Sequence, residues 1–443
     1  MGTFAGRKPH GLKKGNLIVL YSILPYAAIV AVGLWALIWI FNKTDRWVPV
    51  AILSHLLLFL QSAKGIDLLD ILFSIIFFGG LIIWFVRKFA KGESVIRDGD
   101  DLILVLFLIY AFSGILLASA YGFSFFKGFR EFLLFVPYLL YMPIREYIKG
   151  KKQVDVVIWS LIIVMVVVGT ADIVKYKLNM TMAQYFWQII SGREAAFESL
   201  FMSGVIILAT FYAAKQYNRV VVAVALGLTV VSLAITFSRG YWIGAVIGVG
   251  FLMIFSPEGA RKRLVVLSSL SLLVSAAIVY ILFPKIFTDI LQGLIARMAA
   301  TGFKDISLQN RFAESSAVLS RVSESPIVGY GLGSFFSFYN LIFQQTSTTW
   351  YIHNVYLFMM FKFGAVGTVL FIVFYFRKIF EATRVAINHT SLFERVIMTG
   401  FISVMLVMLI ISFTSPQFYD RAAVLILSVF WGVIDSYKGK LDV

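Results

Sequence analysis

The chain has 443 residues, of which 60% are hydrophobic and only 14% charged, and its mean hydropathy is +0.89. A soluble globular chain carries about 25% charged residues, so this composition excludes an ordinary soluble enzyme. The net charge of +16 is concentrated in short loops between apolar runs, which reads as membrane orientation rather than nucleic-acid binding. The lack of cysteine excludes disulfides, zinc–thiolate sites and iron–sulfur clusters.

Apolar runs of span length recur from end to end, which predicts an all-α, polytopic membrane protein built as one integral membrane domain over residues 1–443. The weak ten-residue alternation of a β-barrel is not visible. The basic stretch GRKPHGLKK is expected on the cytoplasmic side, followed by a span over Leu17–Phe41 with a kink at Pro25. That run is about 25 residues long and lacks a small-residue cleavage pattern, so it reads as a span and not a signal peptide. Trp47–Leu60, with Pro49 and His55, is too short to cross and is expected to be interfacial or re-entrant.

Further spans are expected over Asp67–Val86, Asp101–Tyr121, Phe126–Pro143, Val154–Val174, Phe197–Ala214 and Val220–Phe237. The series continues with Tyr241–Phe255, Leu264–Phe283, Tyr351–Phe376, Val396–Phe413 and Arg421–Ile434, for about 12 transmembrane helices. With both termini cytoplasmic, the loops Arg87–Asp100, Arg145–Lys152, Lys215–Arg219, Glu258–Arg263 and Arg377–Arg395 lie inside, and each carries at least two basic residues. Four segments then face outward together: Tyr176–Ala196, the turn Ser238–Gly240, the long loop 284–350 and Thr414–Asp420. The long loop, with helical patterning at Ile290–Met298 and Arg311–Val322, predicts a small helical periplasmic cap.

There is no Walker A loop, no HExxH and no paired-carboxylate cluster on the outer face. The span interiors read as nearly free of ionisable residues; the exception is Lys362 in FKFGAVG, which would line a cavity or snorkel. The outward-facing polar residues are Arg193 in SGREAAF, Arg239 in TFSRGYW, Arg311 and Arg321 in the cap, His353 and Asn354 after it, and Arg421 after TSPQFYD. Guanidinium groups at one membrane surface match phosphate geometry, although Arg239 alone is equally explained by headgroup anchoring. A histidine at a helix start is commonly a structural hydrogen-bonder, but an imidazole also suits a general base for a hydroxyl. Asn354 could orient a sugar or that imidazole. The SPIVGYGLG run of Ser325–Gly333 lets backbone approach closely but follows no strand, which excludes a dinucleotide fold.

The order of these motifs resembles the O-antigen ligase and O-antigen polymerase superfamily of bacterial inner-membrane glycosyltransferases. GR-x3-F stands before a span, SRG lies between two spans, and a long outer loop ends in SP-x-x-G-x-G-x-G. HNVYL and then G-x-x-G follow, so the resemblance covers roughly Arg193 to Gly367.

The resemblance implies a glycan donor on undecaprenyl pyrophosphate at the periplasmic face and attack by an acceptor hydroxyl, with no cofactor. The acceptor would be lipid A–core in the ligase branch, or a second lipid-linked glycan in the polymerase branch. It implies that His353 is the essential histidine, that Arg193 and Arg239 meet the pyrophosphate, and that Arg311 matches a loop arginine less securely. Lys362 departs from the family pattern, because many relatives carry an acidic residue before G-x-x-G. Two rivals remain in view: a lipid-linked glycan flippase, whose cations would line a central cavity, and a non-catalytic assembly scaffold.

Overall fold

The computed structural model describes residues 33, 35–60, 67–181, 197–214, 218–282, 295, 306–389 and 391–438. Most of the expected first span, the Ile290–Met298 patterning and Arg193 lie outside them.

Helices α1 (Thr44–Leu53) and α2 (His55–Phe59) occupy the stretch read as too short to cross. Their Trp47, Val48, Ala51 and Ile52 are buried in the protein core. Next come α3 (Leu68–Ala90, with a π-turn at Ile75–Gly79) and α4 (Gly99–Ala120). Asp67 and Asp98 cap their N-termini by accepting from backbone amides of the first turn, as short carboxylates do there.

The single span expected over Phe126–Pro143 is instead α5 (Phe125–Phe132), a 3-10 turn at Val136–Leu140 and α6 (Tyr141–Tyr147). Two causes are visible in the run. Pro137 cannot donate to a preceding turn, and α5 alternates phenylalanines with Lys127, Arg130 and Glu131 instead of being apolar all round.

The chain continues through α7 (Lys151–Thr181), α8 (Glu198–Ala214), α9 (Arg219–Ile235), α10 (Arg239–Phe255) and α11 (Glu258–Leu282). The long loop holds α12 (Ile306–Glu324) and then an antiparallel hairpin of β1 (Phe336–Asn340) and β2 (Gln345–Thr349), paired from Phe336–Thr349 to Asn340–Gln345. The cap is therefore not purely helical. FSFYN and QTSTT are rich in the aromatic and β-branched residues that suit a pleated surface, and β1 alternates buried and exposed side chains. The last helices are α13 (Val355–Asn388), α14 (Leu392–Ile411) and α15 (Arg421–Lys438).

Among the described residues five helices are long and apolar enough to cross a membrane: α3, α4, α7 (over Lys151–Asn179), α13 and α14. The apolar helices α8, α9 and α10 have 17 residues each. At 1.5 Å per residue that length reaches about 26 Å, just short of a bilayer core of roughly 30 Å. The all-α membrane architecture holds; the count of 12 is not reached on these criteria.

Helix α13 is broken. Gly364 has φ 59° and ψ −165°, a conformation open essentially to glycine alone. The SPIVGYGLG loop threads the break. Tyr330 N–H and Gly331 N–H donate to the carbonyls of Phe361 (2.8 Å) and Lys362 (2.9 Å), and Ala365 N–H donates to Pro326 O (2.8 Å). Backbone groups released from the helix ladder are thus paired within the protein, as a membrane setting requires. The three loop glycines, 329, 331 and 333, all have positive φ. A Cβ on Gly331 would lie 1.8 Å from the Gly114 carbonyl of α4, so the close approach that the motif predicted is real.

The polar residues gather at two places. One is an ion network joining loops expected on the cytoplasmic side. Buried Lys378 pairs with Asp435 (2.6 Å), Glu381 (3.0 Å) and Asp100 (3.1 Å), and Arg145 forks onto Asp101 (3.0 and 2.9 Å). The other is the cavity described below.

Gly364→Ala should lower the thermal midpoint in detergent markedly. Its Cβ would sit 2.2 Å from Ile327 O, in a backbone region that itself costs about 1–3 kcal/mol for other residues. Gly250→Ala, which has open space around the new methyl, is the control and should be nearly neutral.

Candidate functional site

The site grows from the helix starts at one end of the bundle. Asn354 caps α13, its side-chain oxygen accepting from Tyr356 N–H (3.0 Å) and Leu357 N–H (3.2 Å). That oxygen is committed to the helix, and Asn354 is not among the residues lining the cavity. His353 sits immediately before the cap. Its ring Nδ1 is 2.8 Å from Glu314 Oε2, and its backbone N–H donates to Glu314 Oε1 at 2.7 Å. One carboxylate of α12 thus holds both the backbone and the ring. With Nδ1–H donated to Glu314, the neutral ring carries its lone pair on Nε2. Tyr351 meets the ring edge-on at 4.9 Å. Tyr419 donates its hydroxyl to Ile352 O (2.5 Å), fixing the strand of backbone before the histidine.

His353 opens onto a cavity of about 1040 Å³. Its walls carry Arg239, Arg311 and Arg421, together with Lys127, Arg130 and Glu131 of α5. Each arginine arrives by a different route. Arg239 begins α10 after Phe237, a bulky residue held at φ 52°. Such a residue is a conformational outlier, and the strain falls at a cavity-lining turn. Phe237 is held there by burial beside Tyr176 and Trp242, while Ser238 Oγ donates to Glu198 (2.8 Å). Arg311 of α12 donates to Thr414 O (3.1 Å), tying the cap to the loop before α15. Arg421 is the first residue of α15.

The structure therefore brings together His353, Arg239, Arg311 and Arg421. It places Arg321 elsewhere. Arg321, counted from the sequence with the outward-facing arginines, lies on the exposed face of α12, pairs with Glu324 at 3.0 Å and does not line the cavity. Helical geometry contributes: ten residues turn Arg321 about 80° from Arg311 around the axis and set it about 15 Å further along.

Sequence reading missed Glu314, Lys127, Arg130, Glu131 and Asp420. The α5 residues lie within a run read as a span interior with no ionisable groups, and the signal that could have exposed them was FKGFRE itself, three charges in six residues. Glu131 also accounts for Lys362. The fully buried ammonium donates to Glu131 (2.8 Å) and Ser334 O (2.5 Å), so it neither snorkels nor lines the cavity. Glu131 accepts in addition from Gly333 N–H (3.0 Å), which links the pair to the threaded loop.

Burial pushes the Asp420 carboxyl up to about 6, against hydrogen bonds from Ser199 and Ala423 N–H that favour its charged form. Burial likewise raises the Tyr351 and Tyr419 hydroxyls, which remain neutral donors. Among the described residues no group of His, Asp and Glu is arranged to hold a metal ion.

A multi-pass α-helical membrane protein with a cationic, histidine-bearing cavity at one end is the class that the fold and site define. Residues 221–372 match the model of the O-antigen ligase family, a similarity over that segment that supports the O-antigen ligase superfamily. The matched segment holds Arg239, Arg311, Glu314, His353 and Lys362. The chain is also similar to an uncharacterized protein of Haemophilus influenzae, 26% identical over 231 residues. That match spans 50% of this chain and 57% of the relative's length.

Asp420 gives a pH test. A carboxyl whose folded pKa is raised contributes stability fully at pH below its unfolded value, and that contribution is lost as pH rises through about 6. The thermal midpoint should therefore fall between about pH 4 and 7, and Asp420→Asn should flatten that part of the profile. An unchanged slope would exclude the group as its source.

Proposed function

We propose that this protein transfers a glycan from a lipid pyrophosphate, undecaprenyl pyrophosphate by the family resemblance, to an acceptor hydroxyl at the periplasmic face of the bacterial inner membrane. The acceptor in the leading reading is lipid A–core, as in a ligase; a second lipid-linked glycan, as in a repeat-unit polymerase, is the alternative within the same chemistry. The observation that carries the proposal is the Glu314–His353 pair opening on a cavity with Arg239, Arg311 and Arg421 in its walls.

In this reading His353 Nε2 takes the proton of the acceptor hydroxyl as its oxygen attacks the anomeric carbon. The bond from that carbon to the pyrophosphate oxygen breaks, and lipid pyrophosphate leaves with the electron pair. Glu314 holds the ring in the required tautomer and stabilises the imidazolium that forms, without itself needing to be protonated. The arginines meet the charge that develops on the departing pyrophosphate, and forked guanidinium groups suit its oxygens. Arg193, which lies outside the described residues, keeps its proposed place among them. Neutral Tyr351 and the Trp350 ring, both lining the cavity, offer the flat and hydrogen-bonding surfaces that sugars use. The clustering of these groups at one end of the bundle favours an enzyme over a flippase, whose cations would line a central path.

His353→Ala is expected to abolish glycan transfer, a loss of about 10²–10⁴-fold for an acid–base group, while membrane insertion persists. Wild-type-like transfer by that variant would sink the assignment. Glu314→Gln should lower kcat about tenfold or more with little change in KM, since it leaves a partner for Nδ1 but removes its charge. Arg239→Gln or Arg421→Gln should raise the donor KM about 10–100-fold, the size of one charge-assisted hydrogen bond. Steady-state kinetics with purified donor and acceptor check all of these.

A further inference from the structure

The catalytic reading uses the arginines of α10, α12 and α15 but leaves one wall of the cavity unexplained. That wall is α5, an eight-residue helix with two opposed faces. Phe125, Phe126 and Phe129 share one face and are all exposed, Phe126 to 82%. Lys127 and Arg130, three residues apart and thus neighbours on the helix surface, line the cavity on the other face. This is the pattern of a helix lying in a membrane interface, its apolar rings in the lipid and its cations at headgroup level.

Two observations fix it in that position. Phe132, at its C-terminal end, meets Phe112 of α4 at 5.4 Å, and Phe112 belongs to an exposed apolar stripe with Leu102, Leu106, Ile109 and Leu116. The phenylalanine face of α5 therefore continues the lipid-facing side of a spanning helix. On the inner side Gly128 packs on the threaded loop, where a Cβ would lie 2.6 Å from Leu332 O.

The cations on the cavity face are not neutralised locally. Glu131, the one carboxylate of α5, is already paired with buried Lys362. Lys127 stands over the Phe335 ring at 5.7 Å, and among the described residues neither Lys127 nor Arg130 forms an ion pair. Two cations with no ion pair among the described residues, at the boundary between lipid and a polar cavity, suit a multiply charged anion carried on a lipid tail.

We propose that Lys127 and Arg130 form a second phosphate grip, on a different element from the Arg239–Arg311–Arg421 set. It would hold the phosphate of a membrane-borne lipid substrate while the tail lies along the phenylalanine face. The identity of that lipid as a glycan carrier rests on the glycan-transfer reading; the binding itself does not.

The test uses the full chain carrying His353→Ala, so that no turnover consumes the ligand, in discs of neutral phosphatidylcholine. The probe is a fluorescent short-chain polyprenyl pyrophosphate. Adding Lys127→Gln and Arg130→Gln should weaken its binding about tenfold or more, and Lys127→Arg with Arg130→Lys should restore it. Arg321→Gln, on the exposed face of α12, should change nothing. Equal probe affinity with and without the two glutamines would overturn the proposal. So would displacement of the probe from the unmodified site by phosphatidylglycerol doped into the disc, which would make these residues anchors for bulk headgroups. Failure of the protein with His353 intact to transfer glycan to any acceptor, with probe binding still lost on adding the two glutamines, would refute the transferase reading and leave this inference standing.

Discussion

A helix broken at membrane depth is the constraint on which the rest of this structure depends. At Gly364 the α13 ladder opens, and the amides and carbonyls it releases have no water to turn to. The Ser325–Gly333 loop supplies their partners, and it can enter only because Gly329, Gly331 and Gly333 adopt positive φ and present no side chain to Gly364, Gly114 and Gly128. The same threading decides where other elements stand. It pins the end of the cap to α13, brings α4 and α5 against the loop, and delivers Gly333 N–H to Glu131.

The Lys362–Glu131 pair is the electrostatic counterpart of that threading. A buried ion pair is not in itself a strong stabiliser, since desolvating both charges offsets most of their attraction, but removing one partner leaves a charge in the core at a cost of about 3–5 kcal/mol. Here the pair also accepts and donates to the loop backbone at Gly333 and Ser334, so helix α5, the glycine loop and α13 are held in one arrangement. Lys362 is thereby explained within this chain: the acid lies on α5 and the base on α13, and together they are neutral.

Charge is segregated along α13. The ion network around Lys378 closes the end whose loops carry the basic excess, and every cation in it is matched by carboxylates. At the cavity the balance is reversed. Among the described residues, Arg239, Arg311, Arg421, Lys127 and Arg130 line a space whose carboxylates are Glu131, Glu198 and Asp420, with Glu131 paired to Lys362 and Asp420 pushed toward its neutral form. One end is compensated by ion pairs, and at the other the cations outnumber the carboxylates among the described residues.

The sequence by itself determined the membrane class, most helix positions and the grouping of His353 with Arg239, Arg311 and Arg421, because hydropathy, basic loops and motif order act locally along the chain. It also marked Gly329–Gly333 as a place of close backbone approach. Only the tertiary structure decided what that backbone approaches, that Lys362 answers Glu131 across 231 positions, and that Glu314 of the cap holds His353. These are pairings between residues distant in sequence, and a hydropathy profile carries no record of partners. The structure also reassigned Asn354 to a helix cap and turned Arg321 away, for a physical reason that spacing alone shows only after the helix is placed: a side chain serves the face it lands on.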